Sequence, residues 1–240
     1  MTSEAHFKKP LLYISAPTVC SYLPDQSSSM IFIDPDAEMN MHLYGRLIRN
    51  GFRRSGGFVY TPKCSKCQEC IPVRIPVSDF QHSKVQRRIW NRGKHLTVTE
   101  RAPCFSDEHF RLYQHYLSSR HAGGGMDNPT PEQYVSFLTA DWADTAFIEF
   151  RDHERLIAVA IVDYLDDGLS AVYTYFDPDY ARFSPGKLAI LWQIHETRNK
   201  EKDYLYLGYW IRHCNKMQYK TDFSPLQAFR NGHWHILNPD

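Results

Sequence analysis

A chain of 240 residues, 42% of them hydrophobic and 14% aromatic, has room for one large domain or two ordinary ones around a real core. No apolar run approaches a membrane span, and Glu4 and His6 stand ahead of Lys8 and Lys9 where a signal peptide would place basic and then apolar residues, so a folded cytoplasmic protein without a membrane partner is expected. In that reducing compartment six cysteines read as buried, metal-bound or reactive residues, not as a disulfide framework.

Residues 36–50 place Ala37, Met41, Tyr44, Leu47 and Ile48 at helical spacing, with Gly51 as the stop. Residues 58–60 and 73–77 read as short strands, limited by Pro62, Pro72 and Pro76. Between them run Cys64, Cys67 and Cys70. Two residues between thiols is the spacing at which sulfurs of a tight turn converge on one metal ion, and Cys20 brings the thiolates to four. Zinc or an iron–sulfur cluster is the expected occupant. Three thiols of one loop also crowd one another, so an empty reduced site is the alternative. Cys104 and Cys214 stand alone and read as packing residues.

The net charge of +1 argues against nucleic acid, but it hides a local patch. Lys84, Arg87, Arg88, Arg92, Lys94 and Arg101 face a single acid, Glu100, with Trp90 among them. Arginines interleaved with an aromatic grip phosphates and stack on an exposed base. A solvated helix face is the plainer reading of the same run.

In the second half, Ser106 caps a helix burying Phe110, Tyr113, Tyr116 and Leu117, and Thr130-Pro131-Glu132-Gln133 has the pattern of a capping box. Residues 146–150, 156–164 and 169–176 form an antiparallel meander with turns at 151–154 and 166–168. Ser184-Pro185-Gly186-Lys187 opens a helix with Leu188, Leu191, Trp192 and His195 on one face, and residues 204–210 form a strand. Helix–helix–meander–helix–strand is an acyltransferase-like order. No Gly-x-Ser-x-Gly appears, and Cys104 and Cys214 lack an evident base, so no covalent intermediate is implied. Between residues 83 and 106 no Gly/Ser-rich linker separates the halves, which should pack as one unit.

The phrases Phe52-Arg53-Arg54-Ser55-Gly56, Tyr60-Thr61-Pro62 through the cysteine run to Pro72-Val73-Arg74, residues 83–88, Asp177-Pro178, and Tyr206-Leu207-Gly208-Tyr209-Trp210-Ile211 with Lys216-Met217 and Tyr219-Lys220 resemble the bacterial aspartate/glutamate leucyltransferases. These are short relatives of the eukaryotic arginyl-tRNA–protein transferases, and the resemblance runs over about residues 20–234. It implies an α+β protein: a cysteine-containing N-terminal α/β region, residues 1–100, packed on a GNAT-like acyltransferase domain, residues 101–240. It also implies transfer of leucine from leucyl-tRNA to the α-amine of proteins beginning with Asp or Glu, marking them for degradation. Leucine as donor rests on the subgroup alone, with arginine the alternative. A zinc-stabilised RNA-binding module leaves the second half without a task, and for an acetyl-CoA enzyme residues 181–187 are a poor pyrophosphate loop.

The chemistry needs no cofactor, because the donor is an activated ester to be aligned with a neutral amine. Arg74 is the first choice to pair with the acceptor's carboxylate; Arg87 and Arg88 are second choices that could hold phosphates instead. Tyr173, Tyr175 and Tyr209 would stack on the terminal adenine or orient the amine, and Asp177 would accept a proton. Contacts to tRNA are expected from Lys84, Trp90, Arg92, Lys94, Ser184 and Lys187, and from Lys216 and Lys220, four apart on one helical face. The plainer readings are a structural ion pair for Arg74, core positions for the tyrosines and exposure for the lysine pair. A monomer is expected.

Overall fold

The computed structural model describes residues 11–120 and 128–238. The expected meander forms its centre: β9 (Thr145–Asp152), β10 (Arg155–Tyr164) and β11 (Gly168–Phe176) pair antiparallel in sequence order. From β11 the chain passes through α5 (Pro185–Asn199) to β12 (Tyr204–Trp210), which lies parallel to β11. Two strands from the first half join the same sheet. β7 (Ile71–Pro76) pairs with β12, and β8 (Thr97–Arg101) pairs with β9. With β13 (Gln227–Arg230) and β14 (His233–Ile236), the order of this eight-stranded sheet is β14-β13-β7-β12-β11-β10-β9-β8. A division at residue 100 therefore cuts through one sheet. The N-terminal remainder is a four-stranded sheet of β1 (Leu12–Ile14), β4 (Met30–Ile33), β6 (Phe58–Pro62) and β5 (Arg53–Ser55), in that order, with a small ladder of β2 (Thr18–Val19) and β3 (Ser27–Ser28).

Local chemistry sets the helix starts. α1 (Met41–Arg49) begins later than the periodicity of residues 36–50 suggests, because Asn40 accepts from the amide of Leu43 at 2.9 Å and fixes the N-terminus there. α3 (Asp107–Arg120) starts at Ser106 as expected, and α4 (Pro131–Leu138) carries the capping box, Thr130 Oγ1 accepting from Gln133 at 3.2 Å and Gln133 Oε1 accepting from Thr130 at 2.9 Å. α2 (Lys84–Gly93) has a second capping box, between Ser83 and Gln86. The prolines of β7 are tolerated because β13 pairs only with Val73 and Arg74, so Pro72 and Pro76 lie outside that ladder.

α2 and α5 cover one face of the large sheet, over Ile75, Ile148, Ala160, Leu169 and Leu205; α3 and α4 cover the other, over Phe147, Val159, Ile161 and Tyr175. Fully burying each large apolar side chain contributes about 1.5–3 kcal/mol. The small sheet and α1 are tied to β10 by one polar cluster. Arg54 donates to both carboxylate oxygens of Asp163 at 2.6 Å, Tyr44 and Thr145 each donate to the same carboxylate at 2.7 Å, and Arg54 also reaches the Leu138 carbonyl at 3.0 Å. Among the described residues no helix is long and apolar enough to cross a membrane.

Candidate active site

The site begins where the parallel pair ends. β11 and β12 pair only at Gly168, Leu169 and Ser170 against Tyr204, Leu205 and Tyr206, and then part. Both strands leave their other ladders out of step there: β11 shifts against β10 around Val172, and β12 shifts against β7 around Leu207. Arg53 of β5 enters the opening, its Nη2 donating to the carbonyls of Ala171 at 2.8 Å and Val172 at 3.2 Å. Facing it is Gly208 with φ +74°, where an added Cβ would lie 1.6 Å from Arg53 Nη1. Glycine is required by the backbone and by the arginine alike.

Lys220 approaches the same stretch of β12 from a 3-10 segment, Asn215–Asp222. It is 5% exposed, and its ammonium donates to the carbonyl of Tyr209. Burial, and after it the positive charge of Arg53, lower its pKa from the ordinary value of 10.5 to about 7. Tyr209 donates to the carbonyls of Gly51 at 3.0 Å and Tyr60 at 3.3 Å. Tyr22 lies within electrostatic reach of Tyr60, Cys70, Arg53 and Cys214. The cysteine loop, the small sheet and the parting strands thus meet at one place. Beyond Phe176, β11 leads through the 3-10 segment Pro178–Phe183 into α5, so the N-terminus of α5 lies at the edge toward which the strands open.

The sequence-predicted residues fall in three groups. Arg74 is 8% exposed; its Nε donates to Gln227 at 2.8 Å and its Nη1 to the Tyr206 hydroxyl at 3.3 Å, and the guanidinium lies 3.5 Å from the Tyr204 ring centre and 4.3 Å from that of Trp234. Aromatic rings hold the cation that was expected to meet an acceptor. Tyr175 has 0% exposure and its hydroxyl lies 2.7 Å from that of Tyr134, so its ring cannot stack on an adenine without the core opening. Tyr173 is half-buried against Phe137 and Tyr113, near Tyr22. Asp177 accepts from Arg155 at 2.5 Å and from the Asp179 amide at 3.0 Å, capping the Pro178–Phe183 segment; its oxygens are committed to holding that turn. With His115 and Asp179 it brings ligand atoms within 4.8 Å of one another, but Arg155, also 3.7 Å from Asp179, already takes the place of a cation.

The basic residues separate cleanly. Lys84, Arg87, Arg88, Arg92 and Lys94 are exposed on and just beyond α2, which buries Gln86 and Ile89 on its other side. Among the described residues they have no carboxylate within ion-pair distance, whereas nearby His95 and Arg101 face Asp152 and Glu149. Trp90 does not join them: its ring stacks on His195 with centres 4.2 Å apart. The end of α2 abuts α5, where a Cβ at Gly93 would lie 2.6 Å from Leu188. Arg92 and His95 there line a hollow with Tyr180, Phe183, Pro185 and Leu188. Ser184, at φ +56°, precedes α5 without a side-chain capping bond, and Lys187 is paired with Asp222 at 2.7 Å. The lysine pair is a correction. Lys216 is exposed and Lys220 buried, because four residues of 3-10 helix make about one and a third turns and do not share a face.

Cys20, Cys64, Cys67 and Cys70 are free, half-buried thiols. Burial, followed by the proximity of Cys64, Cys20 and Cys67, pushes the Cys70 thiol up to about 12. The four gather around Cys70 but do not converge: among the described residues no three of their sulfurs lie within 4.8 Å of one another. Four thiolates suit zinc or an iron–sulfur cluster, but tetrahedral ligation needs sulfurs about 3.8 Å apart.

The parallel pair of this mixed sheet parts over half-buried Arg53 and buried Lys220, beside a helix with an unpaired basic face, and the chain's sequence similarities make the class a tRNA-dependent aminoacyltransferase. The family model "Arginine-tRNA-protein transferase, N terminus" matches residues 18–88 and "Arginine-tRNA-protein transferase, C terminus" matches residues 108–230, and the chain belongs to that family. It is 48% identical to the aspartate/glutamate leucyltransferase of Pseudomonas fluorescens strain Pf-5 over 99% of this chain and 100% of that protein. It is likewise 48% identical to the protein of the same name from Nitrosococcus oceani, over 99% of both chains, and 47% identical to that of Hahella chejuensis, over 93% of this chain and 96% of the other. Likeness to solved structures is looser. L-PGS from Bacillus licheniformis aligns with a TM-score of 0.48 at 13% identity, over 60% of this chain and 46% of that one, and lends no weight to a GNAT label.

Two residues of the site have no assigned part in the sequence reading or a different one. Arg53 lies in the run Phe52-Arg53-Arg54-Ser55-Gly56 with no expected role, and Lys220 is expected among the RNA contacts. The available signal was Gly208, since a glycine inside a strand marks close approach by another group.

Proposed function

We propose that this protein transfers leucine from leucyl-tRNA to the α-amine of proteins beginning with Asp or Glu, creating a signal for their proteolysis. The observation that carries the reading is positional: the unpaired basic face of α2 ends against the first turn of α5, at the edge where β11 and β12 part. A tRNA acceptor stem laid along Lys84, Arg87, Arg88 and Arg92 brings its aminoacylated end toward that opening, and the amides of the first turn of α5 face its last phosphates. The relatives' shared name supports leucine as the donor.

In this reading the acceptor amine, in neutral form, attacks the ester carbonyl directly. The tetrahedral intermediate collapses with expulsion of the ribose oxygen, which takes up the proton lost by the attacking nitrogen, and the new bond is an amide. The parting strands with a helical crossover support a GNAT-like arrangement for the second half. The activated ester makes a cofactor unnecessary. Because the cysteines gather without converging, a zinc ion or cluster there is assigned only the role of shaping the loop beside Tyr22, and no step passes through it. The enzyme would work in the cytoplasm as a monomer.

Transfer of label from leucyl-tRNA, arginyl-tRNA or acetyl-CoA to a peptide beginning with Asp tests the proposal. Leucine transfer is expected. Arginine transfer in its place would move the chain to the arginyl donor, and acceptance of acetyl-CoA with rejection of both tRNAs would overturn the reading.

A further inference from the structure

Cations taken out of water need a counter-charge, because burial without one costs several kcal/mol per ion. Elsewhere Arg54 has Asp163 and Arg151 has Glu108 and Glu149, while Arg74 is held between aromatic rings and Arg198 by the carbonyls of Val77, Ser78 and Phe80. Arg53 and Lys220 differ from these in lying together at the parting of β11 and β12. Both are oriented by hydrogen bonds, yet every acceptor is a neutral backbone carbonyl: Ala171 and Val172 for Arg53, Tyr209 for Lys220. Among the described residues no carboxylate lies within ion-pair distance of either. They are also neighbours, since the charge of Arg53 acts on Lys220 more strongly than any other group. The fold holds two basic groups together and gives neither an acidic partner.

We propose that Arg53 and Lys220 form the receptor for the acidic side chain of the acceptor protein's first residue, with Gly208 leaving the space that the Arg53 guanidinium occupies. The inference rests on the reading of the chain as an aminoacyltransferase with acidic acceptors. Both bonds of Arg53 use Nη2, so Nε and Nη1 are unengaged, and neither is sealed away from solvent as an orphaned buried atom. Nε and Nη1 lie on different edges of the guanidinium, so a carboxylate takes one charge-assisted bond from Arg53 and its second from the Lys220 ammonium. Gly208 lies directly under Nη1, and any side chain there would collide with the guanidinium. The two basic groups at the parting of β11 and β12 also place the acidic side chain next to the opening assigned to the ester, so the α-amine, three bonds from the carboxyl carbon in Asp and four in Glu, comes beside the ester carbonyl. An Asn or Gln acceptor of the same shape leaves both cations without a counter-charge, which is how a site built for a charged group rejects its neutral isostere. Phosphate recognition has its own surface on α2, whose cations are exposed and arrayed along a helix.

The test compares kcat/KM for leucine transfer to peptides beginning with Asp and with Asn, alongside leucyl-tRNA binding, in wild type, Lys220→Met and Lys220→Glu. Wild-type transfer from leucyl-tRNA to the Asp peptide establishes the underlying reading; its absence defeats that reading and not the receptor alone. Given that activity, Lys220→Met should lower the Asp-to-Asn ratio at least about tenfold, mainly through KM, with leucyl-tRNA affinity unchanged. Lys220→Glu should supply Arg53 with an internal partner and abolish the preference for Asp, while its cooperative melting shows a folded protein. An unchanged ratio in folded Lys220→Met overturns the proposal. So does a loss of leucyl-tRNA affinity with the ratio retained, which would make the pair a phosphate site.

Discussion

Arg53 and Arg54 are adjacent on the three-residue strand β5, so their side chains leave on opposite faces and enter different environments. Arg54 is 3% exposed and meets Asp163, Thr145 and the Leu138 carbonyl, with Tyr44 closing the cluster. Arg53 is half-buried and meets two carbonyls. The first arginine is matched by the fold and fastens the small sheet to the large one. The second is positioned by the fold but not neutralised, at the opening where chemistry is proposed. A third case, Arg74, is matched by aromatic faces in place of an acid. Arg198 is also held by carbonyls alone, so the lack of an acid singles out Arg53 only together with its place beside Lys220 at the parting strands.

Breaking the matched pair should have the largest effect. Asp163→Asn leaves Arg54 charged and uncompensated in the core, and denaturant unfolding should show a loss of about 3–5 kcal/mol. A loss under about 1 kcal/mol would remove the contrast with Arg53.

The next effect is on the pH dependence of stability. Lys220 has a pKa of about 7 when folded and 10.5 ordinarily, so between those values the unfolded chain binds more protons. Stability therefore rises with pH across that window, by at most about 1.4 kcal/mol per unit, and falls as pH drops toward 7. Arg53 and Cys214 are the charged and titratable groups acting on it. Lys220→Met should flatten this rise relative to wild type; parallel curves would mean that Lys220 is not buried as a cation in need of a partner.

Arg74→Ala should cost about 2 kcal/mol of stability through the lost aromatic cage, and leave the preference for Asp over Asn in place. Loss of the preference with stability retained would return the acceptor role to Arg74. The smallest effect is on the exposed face of α2. Arg88→Ala should reduce the salt dependence of tRNA binding by about one phosphate contact, with little change in stability. An unchanged slope would assign that face to solvent.

Much of the fold was legible because it is local. The turns at 151–154 and 166–168, the capping box at Thr130 and the strand at 204–210 are written in adjacent residues, and all appear in the structure. The place of β7 in the middle of the large sheet was not legible, since its partners β12 and β13 lie far along the chain and no local pattern names them. The same holds for Trp90, whose ring is claimed by His195 from α5. Lys220 was misplaced for a different reason. A spacing of four implies one face only in an α-helix, and this segment is wound as 3-10 helix. In β5 the alternation of the strand tells that Arg53 and Arg54 part company, but not which finds an acid.

The most direct measurement is a competition in one tube, with labelled leucyl-tRNA as donor and equal amounts of peptides beginning with Asp and Asn as acceptors, for wild type and Lys220→Met. The expected result is leucine on the Asp peptide with wild type and at least an about tenfold fall in that preference with the variant. Equal preference in the two proteins, with both folded and both binding leucyl-tRNA, would contradict the claim that the unmatched cations read the acceptor's acid.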